Sequence, residues 1–143
     1  MGIVWGVVVV ALSLLGWGGQ VISRFAPATA VKLALSEPEE SVEPAYWADI
    51  RAEALWDSLS LWTLLVAGVL LIVDIDAWAY FGLVGGGMYS YFAGRGILSR
   101  REMQRRGLRA GSPENLKSAY VFLSISGVAG ITTIVTAVVA LRS

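Results

Sequence analysis

The feature that most constrains this chain is a series of four long apolar runs. A helix that crosses a membrane needs about 20 largely apolar residues, each rising 1.5 Å, to pass a hydrocarbon layer about 30 Å thick. Gly2 to Ile22 carries no charge. Ser58 to Val73 carries none either, and reaches full length if Leu55 and Trp56 sit among the headgroups. Ala77 to Leu98 is interrupted only by Arg95, and Ala119 to Leu141 is again uncharged. The pattern predicts an all-α integral membrane protein in which four transmembrane helices, over about 2–22, 55–73, 77–98 and 119–141, form one small bundle spanning the chain. Helices satisfy their backbone groups internally, which lipid requires.

Composition agrees with lipid as the solvent. Apolar residues make up 56% and charged residues 15%, against roughly 45 to 50% and about 25% in soluble domains. The chain has no histidine and no cysteine. That removes disulfides, imidazole or thiolate metal sites, cysteine nucleophiles and histidine acid/base catalysis. The expectation is a non-enzyme without metal or cofactor. Basic and acidic side chains balance at a net charge of zero, which by itself says nothing about nucleic acid; with the charges gathered in loops between apolar runs, no nucleic-acid partner is expected.

Orientation follows from the positions of the basic residues. Arg24, Lys32 and Arg51 fall between the first two runs, and Arg95, Arg100, Arg101, Arg105, Arg106, Arg109 and Lys117 fall at or between the last two. Only Arg142 lies on the other side. The positive-inside rule places the loops at about 23–54 and 99–118 in the cytoplasm and both termini outside, in a cell or envelope membrane. Ala28, Thr29 and Ala30 form a cleavage-like A-x-A pattern, but the run before it lacks a basic start and is too long for a signal core, so the first run is expected to stay as a span.

The two inner loops differ in sign. The first carries Glu37, Glu39, Glu40, Glu43, Asp49, Glu53 and Asp57 and is net acidic; the second is net basic. SEPEES, from Ser36, reads as a flexible linker. From Pro44, the apolar residues Trp47, Ile50, Ala54 and Leu55 recur at helical spacing, which predicts a short amphipathic helix on the membrane surface before the second span, either separate from it or continuous with it. Ser112, Pro113 and Glu114 read as an N-cap, first helical residue and first-turn acid, so the last helix starts before its membrane segment.

Phe81 to Gly96, FGLVGGGMYSYFAGRG, invites a phosphate-loop reading, but a Walker A loop closes on Gly-Lys-Ser/Thr and here Gly87 precedes Met88 and Tyr89. Inside a span, Gly82, Gly86, Ser90 and Gly94 recur every fourth residue as a small-residue stripe. The fourth run offers Ser126, Gly130, Thr133 and Ala137 as a second small face whose hydroxyls can bond across helices. Gly85 and Gly87 add local flexibility and allow a kink. Asp74 and Asp76 read as an outer turn with Asp76 capping the third span, rather than as a cation site. Arg95 lies near the inner end and can snorkel, Gln20 can bond across helices, and no span has an acid in its middle third.

No motif ties these residues to a family. The expected function is structural, anchoring or assembly in a membrane or envelope complex. Contact with anionic lipid headgroups or a second protein is expected through Arg100, Arg101, Arg105, Arg106 and Arg109. The alternative is a small oligomeric channel or transporter, with Thr132, Thr133 and Thr136 lining its path; a homo-oligomer is compatible with either.

Overall fold

A computed structural model describes residues 2–142. The described chain is helical throughout: α1 (Gly2–Phe25), α2 (Pro27–Lys32), a 3-10 turn at Glu39–Ser41, α3 (Pro44–Ser60), α4 (Trp62–Ile72), α5 (Trp78–Arg105) and α6 (Pro113–Ala140). Its only extended pairing among the described residues is a single bridge between Val42 and Ala110. Three helices are long and apolar enough to cross a membrane: Gly2–Phe25, Pro44–Ile72 and Pro113–Ala140. The fourth, α5, has 28 residues, but glycines, tyrosines and a charged last third make it far less apolar.

The helix expected from Pro44 is present and continuous with the second span, one of the two forms the spacing allowed. Leu61 keeps right-handed helical angles, φ −71° and ψ −15°, and donates its N–H to Asp57 O, so α3 runs on into α4. The slight break has a local cause. The hydroxyls of Ser58, Ser60 and Thr63 bond carbonyls one turn back, at Ala54, Trp56 and Ser60, and such bonds compete with the helix's own ladder. Trp47 and Ile50 pack against a small core of Val42, Tyr46, Ala110 and Leu116.

The helices pack as an open row, α1 against α4, α4 against α5 and α5 against α6, while α1 and α6 barely meet. Neighbours run antiparallel and approach through glycine. A Cβ on Gly6 would lie 3.0 Å from Gly68 O, and one on Gly85 would lie 2.5 Å from Leu64 N. Gly85 therefore marks a backbone contact and not a flexible joint, whereas Gly87 faces open space. The α5–α6 seam pairs Gly82 with Thr133, Gly86 and Ser90 with Gly130, and Gly127 with Ala93. Outward faces carry exposed Val4, Leu14, Tyr80, Val84, Val128 and Val135.

Gly94 leaves this seam. Nothing lies within 4 Å of a Cβ built there, and its place is taken by Ala93 and by Gly96, where an added Cβ would lie 2.9 Å from the Leu123 side chain. The reason is helical geometry: at 3.6 residues per turn, each step of four advances the face by about 40°, so three steps from Gly82 rotate Gly94 away. The small face on α6 is buried at Ser126, Gly130, Thr133 and Ala137. Its hydroxyls do not cross helices: Thr133 Oγ1 donates to Ala129 O, as Ser90 Oγ does to Gly86 O, and Ser126 Oγ meets no partner.

Two turns also differ from the sequence reading. Asp76 gives no side-chain cap to α5, whose N-cap position is Ala77; Asp74 turns the chain with φ +58°. The acidic segment is ordered by its own hydroxyl, with Ser41 Oγ bonded to Pro38 O at 2.8 Å and to Glu37 Oε2 at 3.2 Å. Val42, its one apolar residue, is 1% exposed against Ala110. At the other loop, Ser112 caps α6 as expected, accepting from Asn115 N at 3.3 Å.

Candidate functional site

Charged side chains collect at one end of the molecule, where α3, the far half of α5 and the two loops meet. Asp49, Glu53 and Asp57 stand four residues apart on α3, hence on one face. Arg95 on α5 faces them. Its guanidinium lies 2.8 Å from both carboxylate oxygens of Asp49 and 2.7 Å from Glu53 Oε1. Arg95 therefore does not snorkel to solvent; it ties α5 to α3. Such a fork-to-carboxylate pairing fixes orientation as well as charge.

Asp57 continues the acidic row one turn deeper, beyond the reach of that guanidinium. It is 4% exposed, and its Oδ2 meets no donor. Close by, Trp17 Nε1 donates to Ser58 O at 2.9 Å, joining α1 to α3, and the fully buried Tyr89 sends its hydroxyl across to Ser13 O at 3.2 Å. Gly16 makes room for that ring, since a Cβ there would lie 2.8 Å from the Tyr89 oxygen. A buried acid without a donor is costly in a lipid-facing fold and marks a candidate functional residue. Sequence reasoning left Asp57 in a loop. The signal was present in the four-residue spacing of Asp49, Glu53 and Asp57, hidden because the helix was expected to begin its membrane segment only near Leu55.

The loops lock through one arginine. Arg109 Nε lies 3.3 Å from Glu43 Oε1, its backbone N–H donates to the same oxygen at 3.0 Å, and its guanidinium donates to Glu40 O at 2.8 Å. The backbone bond from Arg109, with its guanidinium alongside, holds the Glu43 carboxyl below its ordinary value of 4.5. The other arginines of the cluster do otherwise. Arg105 and Arg106 pair with Glu102 on their own helix, Arg100 bonds Gly96 O, and Arg101 is exposed.

Between the parts of α1 and α6 nearest the charged loops lies a cavity of about 290 Å³. Leu15, Phe92 and Leu123 line its deep part, while Gln20, Glu37 and Arg100 line it nearer the loops. Gln20 thus faces this space and bonds no neighbouring helix. The threonines of α6 lie elsewhere: Thr136 Oγ1 donates to the backbone carbonyls of Thr132 and Thr133, and Thr133 Oγ1 to Ala129 O, so these two hydroxyls are used within the helix. Among the described residues no group of three or more acidic side chains is placed to hold a metal ion.

What fold and site define is a helical protein with three membrane-competent helices and a charge-rich end. No family model, curated protein or solved structure matches the chain.

Proposed function

We propose that this chain is a four-span membrane protein with a structural, anchoring or assembly role in a membrane or envelope complex, contacting a partner or anionic headgroups through its charged end. In this reading α5 is the third crossing and both termini lie outside. The observation that carries it is the segregation of the molecule: close glycine-mediated contacts join the helices toward one end, and the ion pairs that tie α3 to α5 and one loop to the other lie at the opposite end. Support for α5 as a crossing comes from its uncharged stretch between Trp78 and Gly94 and from the outward exposure of Tyr80, Val84 and Tyr91. The α6 hydroxyls expected to line a path are buried or self-bonded, which favours a packing role over conduction.

Cross-linking in native membranes followed by purification tests the role. A stoichiometric partner, lost when Arg101, Arg105 and Arg106 become glutamate, is the expected result; recovery of the chain alone from cross-linked membranes is the contrary one. Protease protection tests orientation, with cleavage near Arg105 expected only in opened cells.

The second reading is a small oligomeric channel or transporter, and the buried Asp57, whose Oδ2 has no donor, favours it. Solute or proton flux in reconstituted vesicles, abolished by Asp57→Asn, would move the assignment to that class.

A further inference from the structure

The cavity between α1 and α6 is lined by two opposite charges that do not meet each other. Glu37 accepts a hydrogen bond from Ser41 and faces no cation; Arg100 gives one N–H to Gly96 O, at 3.0 Å, and faces no carboxylate. Among the described residues, neither takes part in an ion pair. Glu53, also on the wall, is already held by Arg95. An anion entering here would gain Arg100 but confront Glu37 and Glu53, and a cation would gain Glu37 but confront Arg100. Only a molecule carrying both signs satisfies both walls.

The rest of the cavity narrows the class. Its deep part is apolar, from Leu15, Phe92, Phe122 and Leu123, so the ligand has an apolar portion beyond its charged head. Its volume of about 290 Å³ sits at the lower end of ligand pockets, roughly 300 to 1,000 Å³, enough for a headgroup and the start of one chain. The weak contact between α1 and α6 leaves a side opening through which the remaining chain can lie in the bilayer. The aromatic lining is limited to Phe92 and Phe122, with no Trp or Tyr, short of the cage a quaternary ammonium favours; Gln20, Ser36 and Glu37 are acceptors suited to N–H donors.

We propose that this cavity binds a zwitterionic lipid whose headgroup carries a primary ammonium and a phosphodiester, with the ammonium at Glu37 and the phosphate at Arg100. Arginine presents its fork to phosphate in two-point fashion. The inference is independent of the assembly role, requiring only that the charged end lie near the headgroup layer.

Native mass spectrometry of the full chain, released from detergent, tests it with four probes: phosphatidylethanolamine, phosphatidylcholine, phosphatidylglycerol and free phosphoethanolamine. Phosphatidylethanolamine should be retained at least tenfold better than the other two lipids. Glu37→Gln and Arg100→Gln should each remove most of that preference, with Arg100→Lys recovering part of it. Equal retention of all three lipids, or wild-type retention in both neutralised variants, overturns the proposal. Preference for phosphatidylglycerol would show that the cavity reads an anion alone. Binding of free phosphoethanolamine as tight as that of the lipid would overturn the lipid as source. Circular dichroism checks that each variant folds; should one fail to, the lipid panel on the unaltered chain decides alone.

Discussion

At one end of this molecule helices meet backbone to backbone, and at the other they are held by charged side chains reaching across. Gly85 sits against the Leu64 backbone and Gly86 against Gly130 O, contacts that a single added carbon would break. Arg95 instead spans Asp49 and Glu53, and Arg109 spans the loops. On the membrane reading proposed above, the difference follows from the surroundings. In hydrocarbon no hydrophobic force draws helices together, so association depends on close van der Waals contact, which small residues permit. Near headgroups and water, charges can be accommodated, and pairs orient elements even where each contributes little.

The sharpest way to break the comparison is to put bulk into the close-packed end. Gly85→Leu should cost about 3 kcal/mol or more, because the obstacle is the Leu64 backbone and cannot rotate aside. Gly86→Leu should cost about 1 to 3 kcal/mol, while Val84→Leu and Gly94→Leu, which face open space, should stay within about 0.5 kcal/mol. Unfolding in graded detergent measures all four. A penalty at Gly94 as large as at Gly86 would restore the regular four-residue stripe.

Next in size is the loss of the Arg95 bridge. Arg95→Gln leaves Asp49 and Glu53 without their cation and should destabilise by about 2 kcal/mol, between the values for exposed and buried pairs, because the three side chains are partly exposed. Stability unchanged by Arg95→Gln would mean that α3 is held by the Val42 and Tyr46 core alone. Asp57→Asn probes the deeper acid in the opposite direction. Removing a charge without a donor should stabilise the fold by about 1 kcal/mol, and a clear loss of stability would reveal a partner for the carboxylate.

Smaller still is the titration of the loop lock. Glu43 has a lowered folded pKa, so its contribution is present above about 4.5, the unfolded value, and is lost as pH falls through the folded one. Hydrogen exchange at the Arg109 amide should therefore quicken in acid relative to its intrinsic rate, and Glu43→Gln should make it insensitive to pH. The least effect is expected on lipid attraction. Replacing Arg101, Arg105 and Arg106 with Gln should weaken association with anionic vesicles at low salt by less than the about 1 kcal/mol per residue of free basic clusters. Glu102 already neutralises part of that charge. Unchanged binding at low salt would leave the cluster as a topology signal only.

Length and hydropathy alone reveal the three helices apolar enough to cross a membrane, since an apolar run in lipid has helix as its one internally bonded solution. The Ser112 cap was legible for a similar reason: it depends on residues three apart in the chain. The sequence also shows that Gly82, Gly86 and Ser90 share a face, because periodicity is local. It could not show where the seam turns from Gly94 to Ala93 and Gly96, since that depends on how a drifting face meets a second helix. Nor could it bring Arg95 to Asp49, Arg109 to Glu43 or Tyr89 to Ser13, pairs separated by 46, 66 and 76 positions. Those meetings are decided by the open order of packing, in which α1 and α6 barely touch. The same separation creates the cavity and exposes Glu37 and Arg100 to one space, a juxtaposition that no spacing along the chain encodes.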